Sequence, residues 1–336
     1  MKTNNFKFIF IAFAVILTMV SCSEEFLEVP YKGTNLETNY YRNQDEAFAG
    51  LVAVYDVMRK YSGGFENMAT FMNAGSDDFR AGGGSASDGA GIQGFDDFEI
   101  TPTTMPLSYW SDYYQGIFRA NFLLTKLPDV PMDKTLKARF TAETKALRAI
   151  YYFNLVKLFR NIPLITTPLE QADFNNVPQV DPSEVYALIE EDLLAAIGDL
   201  PPTVPSEQAG RFTKGGAQAL LGKVYLFQGK FPEAVSQLKE VNGTPGEANQ
   251  YGNKLLEDFD ALWETDNKFN SESIIEVAHT NASSSHWGIW GSGEDEGNSI
   301  NTMVGPRSYA QLTEEAPDLP SGWSFNPVDP ELYDLM

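Results

Sequence analysis

The spacing of apolar positions changes character several times along the chain, and each change predicts an element. Phe8 to Val20 is almost wholly apolar, follows Lys2 and Lys7, and ends at small Ser21. A charged start, a short apolar run and a small residue at the cut make a secretory signal peptide over residues 1–21, whereas a spanning helix needs ~20 apolar residues. After Cys22, SEEFLEVPYKG is acidic and broken by Pro and Gly, a composition suited to a tether. Residues 44–61 place Ala47, Leu51, Val54 and Met58 three or four apart, which predicts a helix with one buried face. Periodicity lapses over 62–108, which contains GSDDFRAGGGSASDGAGIQGFDDF. A loop of that length inside a globular chain is either functional or disordered.

Helical spacing resumes at Ser108. YWSDYYQGIFRANFLLTKL predicts a helix stopped by Pro128 and Pro131, and KTLKARFTAETKALRAIYYFNLVKLFRN predicts the longest one. In the latter, Ala142, Ala146, Ala149/Ile150, Phe153 and Val156 form one apolar stripe, while Leu147, Tyr151, Leu155 and Leu158 form a second. A helix apolar on two faces is packed from two sides, so its Tyr and Phe residues read as core. PLITTPLE leads out as extended chain. DPSEVYALIEEDLLAAIGDLP follows with Asp181 as N-cap, Pro182 at the first helical position, and Gly198 and Pro201 at the end.

In residues 210–241, Leu221-Gly222, Tyr225, Gly229, Phe231 and Ala234 fall on the tetratricopeptide pattern of two helices joined by a tight turn. Gln218 departs from it, standing where that pattern favours Trp. Beyond Asn242 the order changes again. LLEDFDALWE predicts a short helix and SESIIEVAHT a strand, from the alternation of Ile274, Glu276 and Ala278. Residues 279–325 are irregular and hold Trp287, Trp290 and Trp323, three of the five tryptophans. PVDPELYDLM reads as a helix start without a stop signal, the expectation for a truncated C-terminus. The chain is therefore mainly α, a tetratricopeptide-like scaffold with a loop-rich part.

Composition alters this picture in two ways. The chain has one cysteine, Cys22, so no disulfide, zinc ribbon or cysteine nucleophile is available within it. MVSC resembles the bacterial lipobox, with Met19 in the place of the usual Leu, and there the Cys is acylated and becomes the new N-terminus. Acyl chains bury at ~0.8 kcal/mol per CH₂ and hold a soluble domain on a bilayer. The formal net charge is −22. Removing residues 1–21 takes away two lysines and brings it to about −24 (22 basic against 46 acidic). Such a field repels phosphate backbones, which excludes nucleic acid as a partner.

Catalytic groupings are scarce. His279 and His286 are the only histidines, and seven residues apart they make no metal motif. GGGSAS lacks the Lys of a phosphate loop, no calcium-loop register appears, and no cofactor or metal is expected. Asp77-Asp78 and Asp96-Asp97 offer glycosidase-type carboxylates, but adjacent aspartates also cap turns. Binding chemistry is better represented. A sugar presents apolar C–H faces and a rim of hydroxyls, which aromatic side chains beside Asn, Asp and Arg satisfy. Asn73, Asp77, Asp78 and Arg80 in one loop and His286, Trp287 and Trp290 in another supply that mixture; the same tryptophans would also plug a small satellite core.

The sequence Cys22-Ser-Glu-Glu-Phe-Leu, then YWSDYYQGIFRANFLL, AETKALRAIYYFNLVKLFRNIPLI, DPSEVYALIEEDL and GRFTKGGAQALLGKVYLFQGKFPEA, resembles the SusD/RagB family of Bacteroidetes outer-membrane lipoproteins. GWSFNPVDPELYDLM resembles the opening of that family's C-terminal region. The resemblance implies a helical region over 22–241 and an incomplete C-terminal region over 242–336. It implies a non-enzymatic, cell-surface lipoprotein, anchored to outer-membrane lipid through Cys22 and exported on Glu24-Glu25. Such a protein caps a SusC-like TonB-dependent transporter and passes glycan to it. A peptide-binding member, or an adaptor holding only a protein partner, are the alternatives. Asp78, Arg80, Trp287 and Trp290 are the expected ligand contacts.

Overall fold

The computed structural model describes residues 40–279 and 298–335. Cys22, Glu24, Glu25, His286, Trp287 and Trp290 lie outside them. The helices are α1 (Gln44–Tyr55), α2 (Met68–Ala74), α3 (Ala90–Asp96), α4 (Ser108–Lys126), α5 (Lys134–Phe159), α6 (Pro182–Asp199), α7 (Lys214–Phe227), α8 (Phe231–Asn242), α9 (Ile300–Val304) and α10 (Pro330–Leu335). A two-stranded antiparallel pair, β1 (Ile162–Pro163) and β2 (Gln179–Val180), joins α5 to α6 with Ile162 opposite Val180.

Helix α5 is the axis of the scaffold. It packs on α4 and α1 with one side and on α6 with the other. Both expected stripes are buried along it, from Ala142 to Val156 and from Leu147 to Leu155, with Leu158 at the end of the second half-buried. Because both faces are covered, its tyrosines need internal partners. The Tyr151 hydroxyl donates to the Val54 carbonyl (2.6 Å) and the Tyr152 hydroxyl to the Ile165 carbonyl (2.6 Å). Burial raises the pKa of both phenols, so they act as neutral donors.

Two ionic clusters lock the neighbouring helices to α5. Arg148 forms a bidentate pair with Asp192 of α6 (2.7 and 2.8 Å) and donates to the Asn121 side chain of α4 (2.7 Å). Burial raises the Asp192 pKa, and the guanidinium opposes that shift. Fully buried Glu143 accepts from Arg139 (2.8 Å), Arg211 (2.7 Å) and the Tyr55 hydroxyl (2.7 Å). Buried pairs of this kind specify an arrangement more than they stabilise it, but removing one partner strands a charge.

The tetratricopeptide hairpin is α7 and α8. A Cβ on Gly222 would lie 2.6 Å from Leu238 Cγ, so only glycine permits the helices to approach this closely. Ala234 is buried opposite, and Gly229, at φ +72°, turns the chain between the helices. Gln218 is buried and bonds to Gln237 and to the Tyr251 hydroxyl, a polar plug in place of the expected Trp.

Three expectations need correction. Residues 62–108 are not featureless: α2 and α3 bury Met68, Phe71, Ile92 and Phe95. Only the turn Asp260–Trp263 of LLEDFDALWE is helical, and it is a 3₁₀ turn. No strand forms over 271–279, where the Glu276 carboxylate instead accepts from Phe269 N (2.9 Å) and the Ser273 hydroxyl (2.6 Å) and folds the segment on itself.

Candidate functional site

The Gly- and Asp-rich loop between α2 and α3 is laid over the segment that follows α9. Phe79 bridges Val328 and Gly82 bridges Phe325, both antiparallel. The Asp329 amide donates to the Asp78 carbonyl (2.8 Å), the Arg80 amide to Pro327 O (3.1 Å) and the Gly83 amide to Ser324 O (2.8 Å). The glycines are required by proximity. A Cβ on Gly82, at φ +68°, would sit 2.3 Å from Ser324 O, and one on Gly83 would meet the Phe325 ring at 2.7 Å.

The loop's carboxylates hold this platform together. Asp96 accepts the Ala81 amide (2.9 Å), and Asp88 accepts the Gly84 amide (2.7 Å) and Arg307 Nη2 (3.0 Å). Arg80 Nε pairs with Asp329 Oδ2 at 2.6 Å. The Glu331 backbone N–H and that guanidinium hold the Asp329 carboxyl below its ordinary range. Of the expected contacts, Asp78 is exposed with its backbone in the platform, and Arg80 is exposed on the same loop and paired as described. Trp287 and Trp290 fall outside the described residues. Asp77 is exposed while Asp96, at the end of α3, accepts the loop amide of Ala81, so the paired aspartates do different jobs.

Beneath the platform lies an aromatic cluster. Phe65 meets Phe325 edge-on (5.3 Å between ring centres) and Trp323 at 6.2 Å, and Phe71 links it to Phe95 and Tyr109. Trp323 is partly exposed and Phe98 is 75% exposed at the end of α3. Next to Phe65 opens a cleft of about 480 Å³ whose polar walls are Asp56, Arg59, Lys60, Glu66, Ser108 and Asp112. Lys60 is buried; its ammonium donates to Ser108 Oγ (2.6 Å), pairs with Asp112 (3.2 Å) and lies over the Tyr109 ring. Burial lowers its pKa, opposed by Asp112 and Glu66. Ser108 in turn donates to the Glu66 carboxylate. The cleft thus presents fixed acceptors and cations beside an aromatic wall, the chemistry that orients a hydroxylated ligand.

Sequence reasoning named Trp323 only as one of three tryptophans in an irregular stretch, and it missed Phe65, Phe98, Arg307 and the cleft. Asp88 and Arg307 are 219 residues apart, and no local pattern links them.

Residues 43–226 match the SusD-like family described as "Starch-binding associating with outer membrane". The chain resembles a solved "Laminarin binding SusD-like protein", with 72% identity, a TM-score of 0.85, and coverage of 88% of this chain and 64% of the other. Surface glycan-binding protein A from Bacteroides thetaiotaomicron, solved in complex with laminarihexaose, shares the fold at a TM-score of 0.74 and 23% identity, over 88% of this chain and 61% of that one. Among curated proteins, the SusD-like protein P25 of Formosa agariphila is 22% identical over 270 residues, 77% of this chain and 49% of its own length. The chain spans about half the length of the curated relatives it matches. The match over more than half of its residues makes this chain a member of the SusD-like family, whose description associates it with the outer membrane.

Proposed function

We propose that this chain captures a glycan at the outer surface of the cell, with laminarin, a β-glucan, as the first ligand to test. One observation carries the reading: 72% identity across 88% of the chain to a laminarin-binding protein. The platform and the Phe65 cleft supply a physical rationale. They offer aromatic faces and convergent polar groups on loops held by a rigid helical frame. In this reading the protein binds its ligand rather than hydrolysing it, in keeping with the glycan-binding relatives it resembles. Lipidation at Cys22 would keep it on the outer membrane, and a SusC-like transporter would receive the glycan. Asp78, Arg80, Trp287 and Trp290 remain the proposed contacts, now joined by Phe65, Glu66 and Trp323.

Protein lacking residues 1–22, which retains every described element, is run in native gels containing laminarin. Retarded migration, absent in gels with no polysaccharide, is the expected result. Unretarded migration in laminarin and across a broad panel of glycans would overturn the reading. Co-purification of a β-barrel transporter with the full-length protein, lost in Cys22→Ala, tests the anchor and the partner together.

A further inference from the structure

Between α5 and α7, and bordered by the 3₁₀ turn after α1, a further cleft opens. It has a volume of about 340 Å³, at the lower end of the ~300–1,000 Å³ typical of small-molecule sites. Ile150 and Phe153 of α5 and Leu220 of α7 form its floor, and Ile275 and Val277 form one wall. Lys157 and Lys223 stand at its edge. The Lys157 ammonium lies over the Phe153 ring at 4.5 Å and the Phe227 ring at 5.7 Å.

These two lysines run against the charge of the chain. The sequence holds 46 acidic and only 24 basic side chains. Arg148, Arg211, Arg80 and Lys60 all sit beside carboxylates. Lys157 and Lys223, by contrast, are both exposed residues lining this cleft, close enough to repel one another, and neither has an ion-pair partner among the described residues. Two adjacent cations at the rim of an apolar cavity repel one another, and an anion between them removes that cost while an apolar body fills the cavity. The apolar surroundings, with the Lys223 charge, bring the Lys157 pKa down to about 8. Among the described residues, the other groups named around it do not supply a negative charge. Tyr61 from the 3₁₀ turn after α1 and Tyr186 from α6 are held neutral by burial, and the Glu276 carboxylate is turned towards Phe269 N and Ser273.

We propose that this cleft binds a small carboxylate with an apolar body, its anionic end between Lys157 and Lys223 and its hydrocarbon on Ile150, Phe153, Leu220 and Ile275. The site is separate from the glycan platform and does not depend on that reading.

Octanoate is the probe, titrated by calorimetry into the protein lacking residues 1–22, with octanol as the uncharged control. Saturable octanoate binding is expected, with octanol at least tenfold weaker. Lys157→Gln and Lys223→Gln should each weaken octanoate about tenfold, the scale of one lost charge-assisted hydrogen bond. Affinity should fall as the pH is raised from 7 to 9, because Lys157 loses its proton there. Ala219→Trp keeps both lysines and fills the cleft, so it should abolish binding while the circular dichroism spectrum is retained. Equal binding of octanol and octanoate, or octanoate affinity unchanged in both lysine variants, would overturn the proposal. Adsorption to anionic phosphatidylglycerol vesicles without binding of free octanoate would equally overturn it, by making the pair a membrane contact.

Discussion

The helical scaffold and the loop platform solve the same problem by opposite means. Along α5 the apolar positions are set by residues three and four apart on one helix, and Ala142 through Val156 are buried as whole helices pack against it. The platform contributes Ala81 and Phe325 to the core, but no periodic apolar face of its own. Its loop is held by backbone bonds to a segment more than 200 residues away, by Asp88 on Arg307 and by Arg80 on Asp329. On this reading stability resides in the first region, while the second carries the groups proposed to meet a ligand.

That contrast is broken or sharpened by substitution. The largest effect is expected for Asp192→Ala, which strands the buried Arg148 guanidinium and should cost about 3–5 kcal/mol of global stability. The drop in thermal midpoint measures it, and glycan retention at low temperature should persist. Next comes Gly82→Ala, which forces a side chain at φ +68° into Ser324 O. Strain of this kind costs ~1–3 kcal/mol. Here it should appear as lost glycan retention and faster amide exchange at Gly83, with a smaller change in midpoint than Asp192→Ala produces. A larger fall in midpoint for Gly82→Ala than for Asp192→Ala would refute the division of labour. Arg80→Ala should be milder still, because that guanidinium is 65% exposed, and it should speed exchange at the Arg80 and Asp329 amides without moving the midpoint.

The smallest effect is one of pH. The Asp329 carboxyl is held below its ordinary value by the Glu331 N–H and by Arg80, so its contribution is fully present above the unfolded pKa of about 4. It is lost as the pH falls through the lower folded value. Acidification below pH 4 should therefore release the Arg80 and Asp329 amides to exchange, and Asp329→Asn should remove that step. An unchanged acid step in Asp329→Asn would assign it to another group.

The same contrast explains what the sequence revealed. The two stripes of α5, the Asp181 cap and the Gly222–Ala234 packing were legible because each arises within one helix or one hairpin. α2 and α3 were not, since each is a seven-residue helix and their buried faces are completed by distant rings, Phe71 by Tyr109 and Phe95. The alternation around Ile274 misled because a strand needs a partner edge, and here Ile274 and Ile275 are equally exposed, at 36% and 37%. At the proposed site, composition singled out the Gly- and Asp-rich loop but not what it packs on. Asp329 lies 249 residues from Arg80, and Phe65 resembled any other loop aromatic until Trp323 and Phe325 were placed against it.

The central claim is that ligand meets the loops and the Phe65 cleft while the tetratricopeptide helices only frame them. Hydrogen–deuterium exchange with and without laminarihexaose tests it most directly. Added protection is expected over residues 62–115 and 300–329, with exchange across α6, α7 and α8 unchanged. Protection confined to 182–242, with the loops unaffected, would contradict it.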